Sequence, residues 1–240
     1  GVILAAGMAK RLRPLTDACP KCLLKIGERT LLQRTVDAMI AAGINELVVV
    51  TGYRAEMIRE FLTKQYPSLN IHFIHNADYE HNNNIFSLWM TRPYTEGKDF
   101  LLSDSDILFD PQLIRAVLTT EGNALALNRH ECGEEEIKVI VDDENRIMEL
   151  SKTCSIEKAI GESVGFEKMT ASYSTALFQE LEQMIEHEGL IDVFYERAFE
   201  RLIPQGHTFR IVDTTNFFSI ELDTPEDFEN AKQLIPAALY

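Results

Sequence analysis

The stretch that decides the fold runs from Val2 to Ile26, VILAAGMAKRLRPLTDACPKCLLKI. It opens on a β-branched and aliphatic run that stops at Ala5-Ala6-Gly7. A loop carrying Lys10, Arg11 and Arg13 follows, and Pro20-Lys21 leads into a second apolar run. A strand that ends on small residues lets a ligand come close to the backbone. Cationic side chains just beyond it suit the phosphates of a small molecule. The loop is neither a Walker A motif, G-x-x-x-x-G-K-[ST], nor the dinucleotide fingerprint G-x-G-x-x-G.

Working outward, apolar strands alternate with helical patterns. Strands are expected at 1–5, 46–51, 70–75, 99–103 and 123–127, and helices at 30–42, 54–66, 84–91 and 110–120. Leu31, Leu32, Val36, Met39 and Ile40 keep helical spacing, and Gly43 is placed as a stop. Asp110-Pro111 reads as a helix start. Such alternation predicts an α/β fold, Rossmann-like, with three α/β/α layers and a mostly parallel central sheet. From about residue 130 the pattern turns irregular. A hairpin is expected from 137–141 and 146–150, and a strand at 163–169. Helices at 171–187 and 191–203 come next, then strands at 207–212 and 217–221, and a helix opens at Thr224-Pro225-Glu226-Asp227. The whole chain, 1–240, is read as one domain.

Ligands of open parallel sheets sit at the carboxyl ends of the strands. Three segments fall there: Gly7, Asn82-Asn83-Asn84 and Asp104/Asp106. Ser103-Asp104-Ser105-Asp106 ends an apolar strand, and paired carboxylates beside a phosphate site suit Mg²⁺. Asp223 has the same strand-end placement, with helix capping before Pro225 as the competing reading.

The net charge of −15 argues against non-specific binding to nucleic acid or to an anionic membrane. Its distribution says more. Residues 1–34 hold seven basic and two acidic residues, a local +5 that leaves −20 for the remainder. A cationic island on an anionic body fits a compact polyanion. No apolar run reaches the ~20 residues of a membrane helix, and the short apolar start does not read as a signal peptide. Gly1-Val2-Ile3-Leu4 reads as a strand already under way, so a few native residues are expected before it. Cysteines 19, 22, 132 and 154 are too few and scattered for a disulfide framework, which points to a reduced, cytoplasmic setting. Cys19-Pro20-Lys21-Cys22 is formally C-x-x-C, but no second pair completes a zinc site. His72, His75 and His81 are scattered and read as packed or exposed rather than as metal ligands.

The run LAAGMAKRLRPLT…PKCLLKI, with Asp104-Ser105-Asp106 and Glu221-Leu222-Asp223 in order behind it, resembles the nucleotidyltransferases that activate phosphorylated small molecules. These are the sugar-1-phosphate nucleotidyltransferases and the bacterial choline-phosphate cytidylyltransferases. The resemblance implies a nucleoside triphosphate over the first loop, Mg²⁺ on two aspartates, and in-line attack of the acceptor's phosphate oxygen on the α-phosphorus with release of pyrophosphate. Carried over, Arg11 grips the triphosphate and Lys21 bridges the α-phosphate and the attacking phosphate. Asp106 and Asp223 hold the metal. Ala6, Gly7 and Met8 lie against the nucleoside, with Asp104, Asn83 and Asn84 also on the nucleotide side. Residues 1–128 form the nucleotide-binding half and 129–240 the acceptor-binding half. The chain departs from the pattern at Lys10, where the family usually has Ser or Thr.

His81-Asn82-Asn83-Asn84-Ile85-Phe86-Ser87-Leu88 resembles the corresponding run of the choline-phosphate cytidylyltransferase branch, which favours CTP. Asn amides can pair with a pyrimidine edge, or they can cap the helix at 84–91. Asp192, Phe194 and Tyr195 resemble that branch's choline site, although their spacing is also that of core packing. Lys138 and Lys152 resemble residues of relatives that take inositol phosphate or phosphonates, and solvated strand edges are the alternative. The acceptor is therefore left among phosphocholine, phosphoethanolamine, aminoethylphosphonate and a polyol or sugar phosphate. A uridylyl- or thymidylyltransferase for a hexose-1-phosphate stays open as an alternative, as does a catalytically inactive nucleotide-binding module.

Overall fold

The computed structural model describes residues 1–134 and 136–239. In chain order its strands are β1 (Val2–Ala5), β2 (Lys25–Ile26), β3 (Arg29–Thr30), β4 (Glu46–Thr51), β5 (Asn70–His75), β6 (Phe100–Asp104), β7 (Ile107–Phe109), β8 (Ala124–Asn128), β9 (Lys138–Val141), β10 (Ile147–Ser151), β11 (Gly161–Met169), β12 (Arg210–Asp213) and β13 (Ser219–Glu221). Its helices are α1 (Leu31–Ala41), α2 (Ala55–Gln65), α3 (Asn84–Met90), α4 (Arg92–Thr95), α5 (Gln112–Thr119), α6 (Ala171–Glu182), α7 (Glu196–Leu202) and α8 (Pro225–Leu234).

Nine strands form the central sheet, in the order β10-β9-β11-β6-β1-β4-β5, with β8 paired to β11 and β12 to β8. Strands β1, β4, β5 and β6 are mutually parallel. Only β10 and β11 oppose the common direction of this sheet. The placement of β1 explains its unbroken apolar sequence: it lies between β4 and β6 and all four of its residues are buried. Val2 and Leu4 face one core, with Leu88 of α3, Phe178 of α6 and Phe199 of α7. Ile3 and Ala5 face the other, with Val36 of α1, Leu62 of α2 and Val117 of α5. Helices on both faces make the expected three layers.

Local chemistry fixes the elements. Gln33 N donates to Thr30 Oγ1 at 3.0 Å to cap α1, and Gly43, at φ +91°, ends the helical segment. The helix expected at 191–203 begins only at Glu196. Residues before it spend their backbone on tertiary contacts: Asn83 N donates to Ile191 O, and Tyr195 N to Asn84 Oδ1. The helix expected to reach residue 187 does so by a π-helical turn over Gln183–His187.

A small ribbon pairs β13, which falls within the strand expected at 217–221, with β7, which the sequence reading did not expect. Its antiparallel register pairs Ile107 with Glu221. Leu222 N donates to Asp106 O at 3.2 Å just beyond that pair. Leu108 and Leu222 anchor the ribbon in a third core with Leu12, Ile26 and Phe228. Thr224, not Asp223, caps α8. It forms a capping box with Asp227, whose carboxylate accepts from Thr224 N at 2.8 Å. The Asp223 carboxylate is thereby left for other work. Among the described residues no helix is long and apolar enough to cross a membrane.

Candidate active site

Two clefts open where the sheet's carboxyl ends meet the ribbon. The first, about 440 Å³, lies over β1 and is lined by Ala6, Gly7, Met8, Lys10, Lys21 and the asparagines 76, 82, 83 and 84. The second, about 620 Å³, lies over the start of β11 and is lined by Glu136, Lys152, Glu162, Gly165, Phe194 and Glu221. Arg11, Asp104, Asp106 and Asp223 line both. The seam between the clefts therefore carries four of the charged groups singled out in the sequence.

The ribbon builds this seam. Asp106 precedes β7 and Asp223 follows β13, so antiparallel pairing brings together carboxylates that lie far apart in sequence. Lys21 Nζ donates to Asp106 Oδ2 at 2.9 Å and to Asp223 Oδ1 at 2.7 Å. The Arg11 guanidinium pairs with the other oxygen of Asp223. Burial alone would raise Asp223, but Lys21 and Arg11 hold its carboxyl below the usual range. Burial likewise opposes charge on Lys21, and Asp106 with Asp223 more than compensates, so its ammonium is raised. Glu221 joins Asp106 and Asp223 in a cluster whose carboxylate oxygens lie within 4.8 Å of one another. Three hard oxygen donors at that separation fit a divalent ion such as Mg²⁺.

The first loop is held open toward the first cleft. Tyr53 N donates to Ala6 O at 2.9 Å, and Tyr53 OH donates to the carbonyls of Thr16 and Asp17, each at 2.9 Å. A Cβ added at Gly7 would meet no protein atom within 4 Å. The glycine leaves ligand space there; neither clash nor backbone strain demands it. Both thiols of the C-x-x-C pair are pushed up, mainly by burial, which disfavours the thiolate that redox or zinc chemistry needs.

The asparagine run divides its labour. Asn83 caps α3 by accepting from Asn84 N at 2.8 Å, and Asn84 Oδ1 accepts from Tyr195 N at 2.8 Å. Asn82 is fixed by Asn76, which is 1% exposed. Their amides exchange hydrogen bonds of 2.8 and 3.1 Å, and Asn76 also donates to Ser87 Oγ. Asn82 belongs to the segment placed at the strand ends from sequence; Asn76 is a cleft residue that the sequence reading did not assign, and an Asn directly after a strand was the available signal.

On the other side the expected acceptor residues separate. Phe194, 42% exposed, lines the second cleft, and Lys152 Nζ lies 4.6 Å from its ring centroid. Asp192 is exposed but does not line either cleft. Tyr195 is fully buried, and its hydroxyl donates to Asp104 Oδ2 at 3.0 Å, supporting the seam from beneath. Lys138 also lies outside the clefts. It is 1% exposed, and its ammonium donates to the carbonyls of Gly133, Glu134 and Glu136. It braces the segment that presents Glu136 to the cleft. An alternating strand pattern cannot reveal a lysine that curls back onto its own loop.

Beneath the seam, Asp104 meets two acids that the sequence reading did not single out, Glu167 and Glu196. Asp104 is raised by burial and by Asp106, Glu196, Glu167 and Glu221. Glu167 is pushed up to about 8 by burial and Glu196, and burial pushes Glu196 up to about 7. Gly165, at φ +77°, makes room for Asp104: an added Cβ would lie 2.8 Å from Asp104 Oδ2. The three histidines stay apart. His72 pairs with Glu46 and His81 with Asp78, and none joins the acidic cluster.

Known proteins share this architecture. CMP-5'-(3-aminopropyl)phosphonate synthase of Streptomyces rubellomurinus is 26% identical over 242 residues, covering 96% of this chain and 38% of that protein. CTP:phosphoglutamine cytidylyltransferase of Campylobacter jejuni is 24% identical over 246 residues, covering 96% of this chain and 90% of that protein. The solved CTP:phosphocholine cytidylyltransferase from Streptococcus pneumoniae superposes with a TM-score of 0.79 at 17% identity, covering 98% of each chain. This chain thus spans well under half the length of the first relative. The model of the MobA-like NTP transferase domain matches residues 1–202. With that match over most of its length, the chain belongs to the family of MobA-like NTP transferase domains.

Proposed function

We propose that this protein transfers CMP from CTP to a small phosphorylated or phosphonylated acceptor and releases pyrophosphate. The observation that carries the reading is the seam, where Lys21 and Arg11 meet Asp106 and Asp223 between two clefts. CTP is supported by the resemblance of residues 81–88 to the cytidylyltransferase branch and by the cytidylyl chemistry in both relatives' names. Under this reading residues 1–128 bind the nucleotide and 129–240 the acceptor within one domain. The four free thiols accord with a cytoplasmic setting.

The acceptor's phosphate oxygen attacks the α-phosphorus in line. One P–O bond forms, the bond to the β-phosphate breaks, and pyrophosphate leaves with the electron pair. Such catalysis rests on positioning and on neutralising charge. Lys21 reaches from the nucleotide side to the seam, where it bridges the α-phosphate and the incoming phosphate. Arg11, 60% exposed, swings onto the β- and γ-phosphates. Ala6, Gly7 and Met8 accept the nucleoside, and Asn82, set by Asn76, offers amide groups to the base. Asp106 and Asp223, with Glu221 beside them, would hold Mg²⁺. When bound, the ion neutralises phosphate charge and polarises the reacting phosphorus.

The second cleft favours an acceptor with a cationic end. Glu136 and Glu162 line it, and Glu136 Oε2 is buried with no hydrogen-bond partner. A buried, unpaired carboxylate oxygen favours an ammonium over a neutral hydroxyl. The test is pyrophosphate release from CTP, UTP and dTTP against phosphocholine, phosphoethanolamine, aminoalkylphosphonates and hexose-1-phosphates. Release from CTP with an amine-bearing acceptor is expected. Release only from UTP or dTTP with a hexose phosphate would replace this reading, and none with any pair would end it.

A further inference from the structure

We propose that Lys21 has a second role: before substrates arrive it occupies the place of the metal ion and keeps a divalent cation out until the nucleotide's phosphates draw its ammonium away. This rests on the reading that Asp106 and Asp223 hold the metal.

The geometry places both cations on the same atoms. Lys21 Nζ lies 2.9 Å from Asp106 Oδ2 and 2.7 Å from Asp223 Oδ1, and Arg11 pairs with the remaining oxygen of Asp223. A Mg²⁺ ion needs carboxylate oxygens at about 2.0–2.1 Å. It cannot lie between these two carboxylates while the ammonium does. The two cations differ in what it costs to move them. The Arg11 side chain is 60% exposed and can release Asp223 to water. The Lys21 side chain is 9% exposed, and its hydrogen bonds run to those two carboxylates. A metal ion entering alone would take from a buried ammonium both carboxylates it is bonded to, which is strongly unfavourable.

A triphosphate removes that obstacle. Lys21 lines the first cleft beside Ala6 and Gly7, so phosphate oxygens there can receive its ammonium as the metal takes the carboxylates. The partners exchange, and no charge is left unpaired. Because coupling between two bound species is reciprocal, nucleotide and metal raise each other's affinity by the same factor. The site is then filled by a metal–nucleotide complex rather than by metal first.

Removing this lysine should improve metal binding. In Mn²⁺ titrations followed by electron paramagnetic resonance, without nucleotide, Lys21→Met should bind at least on the order of tenfold more tightly than wild type. Lys21→Arg, which keeps the charge, should stay weak. Equal or weaker binding by a folded Lys21→Met would overturn the proposal. If that variant does not fold, wild type decides. With ¹³C-labelled lysine, the Lys21 Cε resonance should ignore Mg²⁺ alone and shift with Mg²⁺ plus inorganic tripolyphosphate; a shift with Mg²⁺ alone would overturn the proposal. Neither readout needs turnover or the right base, so a wrong nucleotide or acceptor leaves it standing. Adding Asp106→Asn to Lys21→Met should abolish the Mn²⁺ site, and Mn²⁺ binding that survives it would instead overturn the metal assignment.

Discussion

The two clefts share four side chains and differ in almost everything else. The cleft over β1 is walled by a small-residue loop and by amides, with lysines and an arginine along its edge. The cleft over β11 is walled by carboxylates, with Lys152 and Arg11 as its cations and Phe194 as its aromatic face. One side is suited to a polyanion and the other to a cation-bearing group, and the neutralised seam lies between. The contrast teaches that one seam can serve two cavities of opposite chemical character. Under the proposed reading, a small zwitterionic phosphate in the second cleft would set its cationic end against Glu136 and Glu162 and its phosphate toward Arg11 and Lys152.

The largest expected effect comes from breaking the seam itself. Asp106→Asn keeps the shape of the side chain and removes one of the two carboxylates that Lys21 joins. We expect kcat to fall by about 10³ or more, with thermal unfolding close to wild type because Asp106 is only partly buried. Near-normal turnover would separate the seam from the chemistry. Lys21→Ala should lower kcat by about 10²–10³ with little change in KM, since its contact strengthens in the transition state. A change confined to KM would mean that Lys21 binds ground and transition states alike.

A different comparison, between the seam and the acids beneath it, is tested by pH. Burial, then Glu196, raises the Glu167 carboxyl to about 8 from an ordinary value near 4.5. Between those values the folded protein keeps a proton that the unfolded chain releases, so stability falls as pH rises through that window. Glu196, raised to about 7 by burial, acts in the same direction over a narrower range. Glu167→Gln should therefore reduce the loss of stability between pH 5 and 8, by up to a few kcal/mol at ~1.4 kcal/mol per unit. Urea denaturation at pH 5, 6.5 and 8 measures it. An unchanged slope would mean that Glu167 is ionised in the folded state.

Much of this site was legible in the chain, for identifiable reasons. Asp104 and Asp106 could be located because strand ends announce themselves by apolar runs that stop, and parallel sheets gather ligands there; Arg11 and Lys21 were picked out of the basic first loop by its resemblance to the nucleotidyltransferases. Asp223 needed more. The strand before it was readable, but its partner β7 is three residues long, too short for a periodic signal, and the pairing spans nearly half the chain. Lys138, Tyr195 and Asp192 were misplaced because a linear pattern shows which residues are polar or aromatic, not where a long side chain bends. Glu167 was invisible for the opposite reason: in the alternating register of β11 it reads as one more solvent-facing acid, yet β6 and β8 flank it.

The contrast between the clefts is sharpened by paired variants of intermediate effect. Glu136→Gln should raise KM for an amine-bearing acceptor about tenfold, the worth of one charge-assisted hydrogen bond, and leave KM for CTP unchanged. Asn82→Ala should do the reverse. If either variant moved both constants equally, the clefts would not be separate binding sites.

The smallest effect belongs to Lys10. Arg11 pairs with Asp223, Arg13 with Asp17 at 3.4 Å, and Lys21 with both seam aspartates. Lys10 lines the first cleft and is exposed, and no carboxylate pairs with it among the described residues. It can meet an incoming phosphate without first giving up a partner. Being solvated, it is also strongly screened. Lys10→Ser, which restores the residue type common in the family, should raise KM for CTP only about two- to fivefold at low salt, with kcat and the acceptor KM unaffected. The difference should vanish near 0.5 M salt, where the screening length is only ~4–5 Å. A salt-independent loss would place Lys10 in direct, desolvated contact with the triphosphate, and no loss at any salt would make it a solvated side chain at the rim of the cleft.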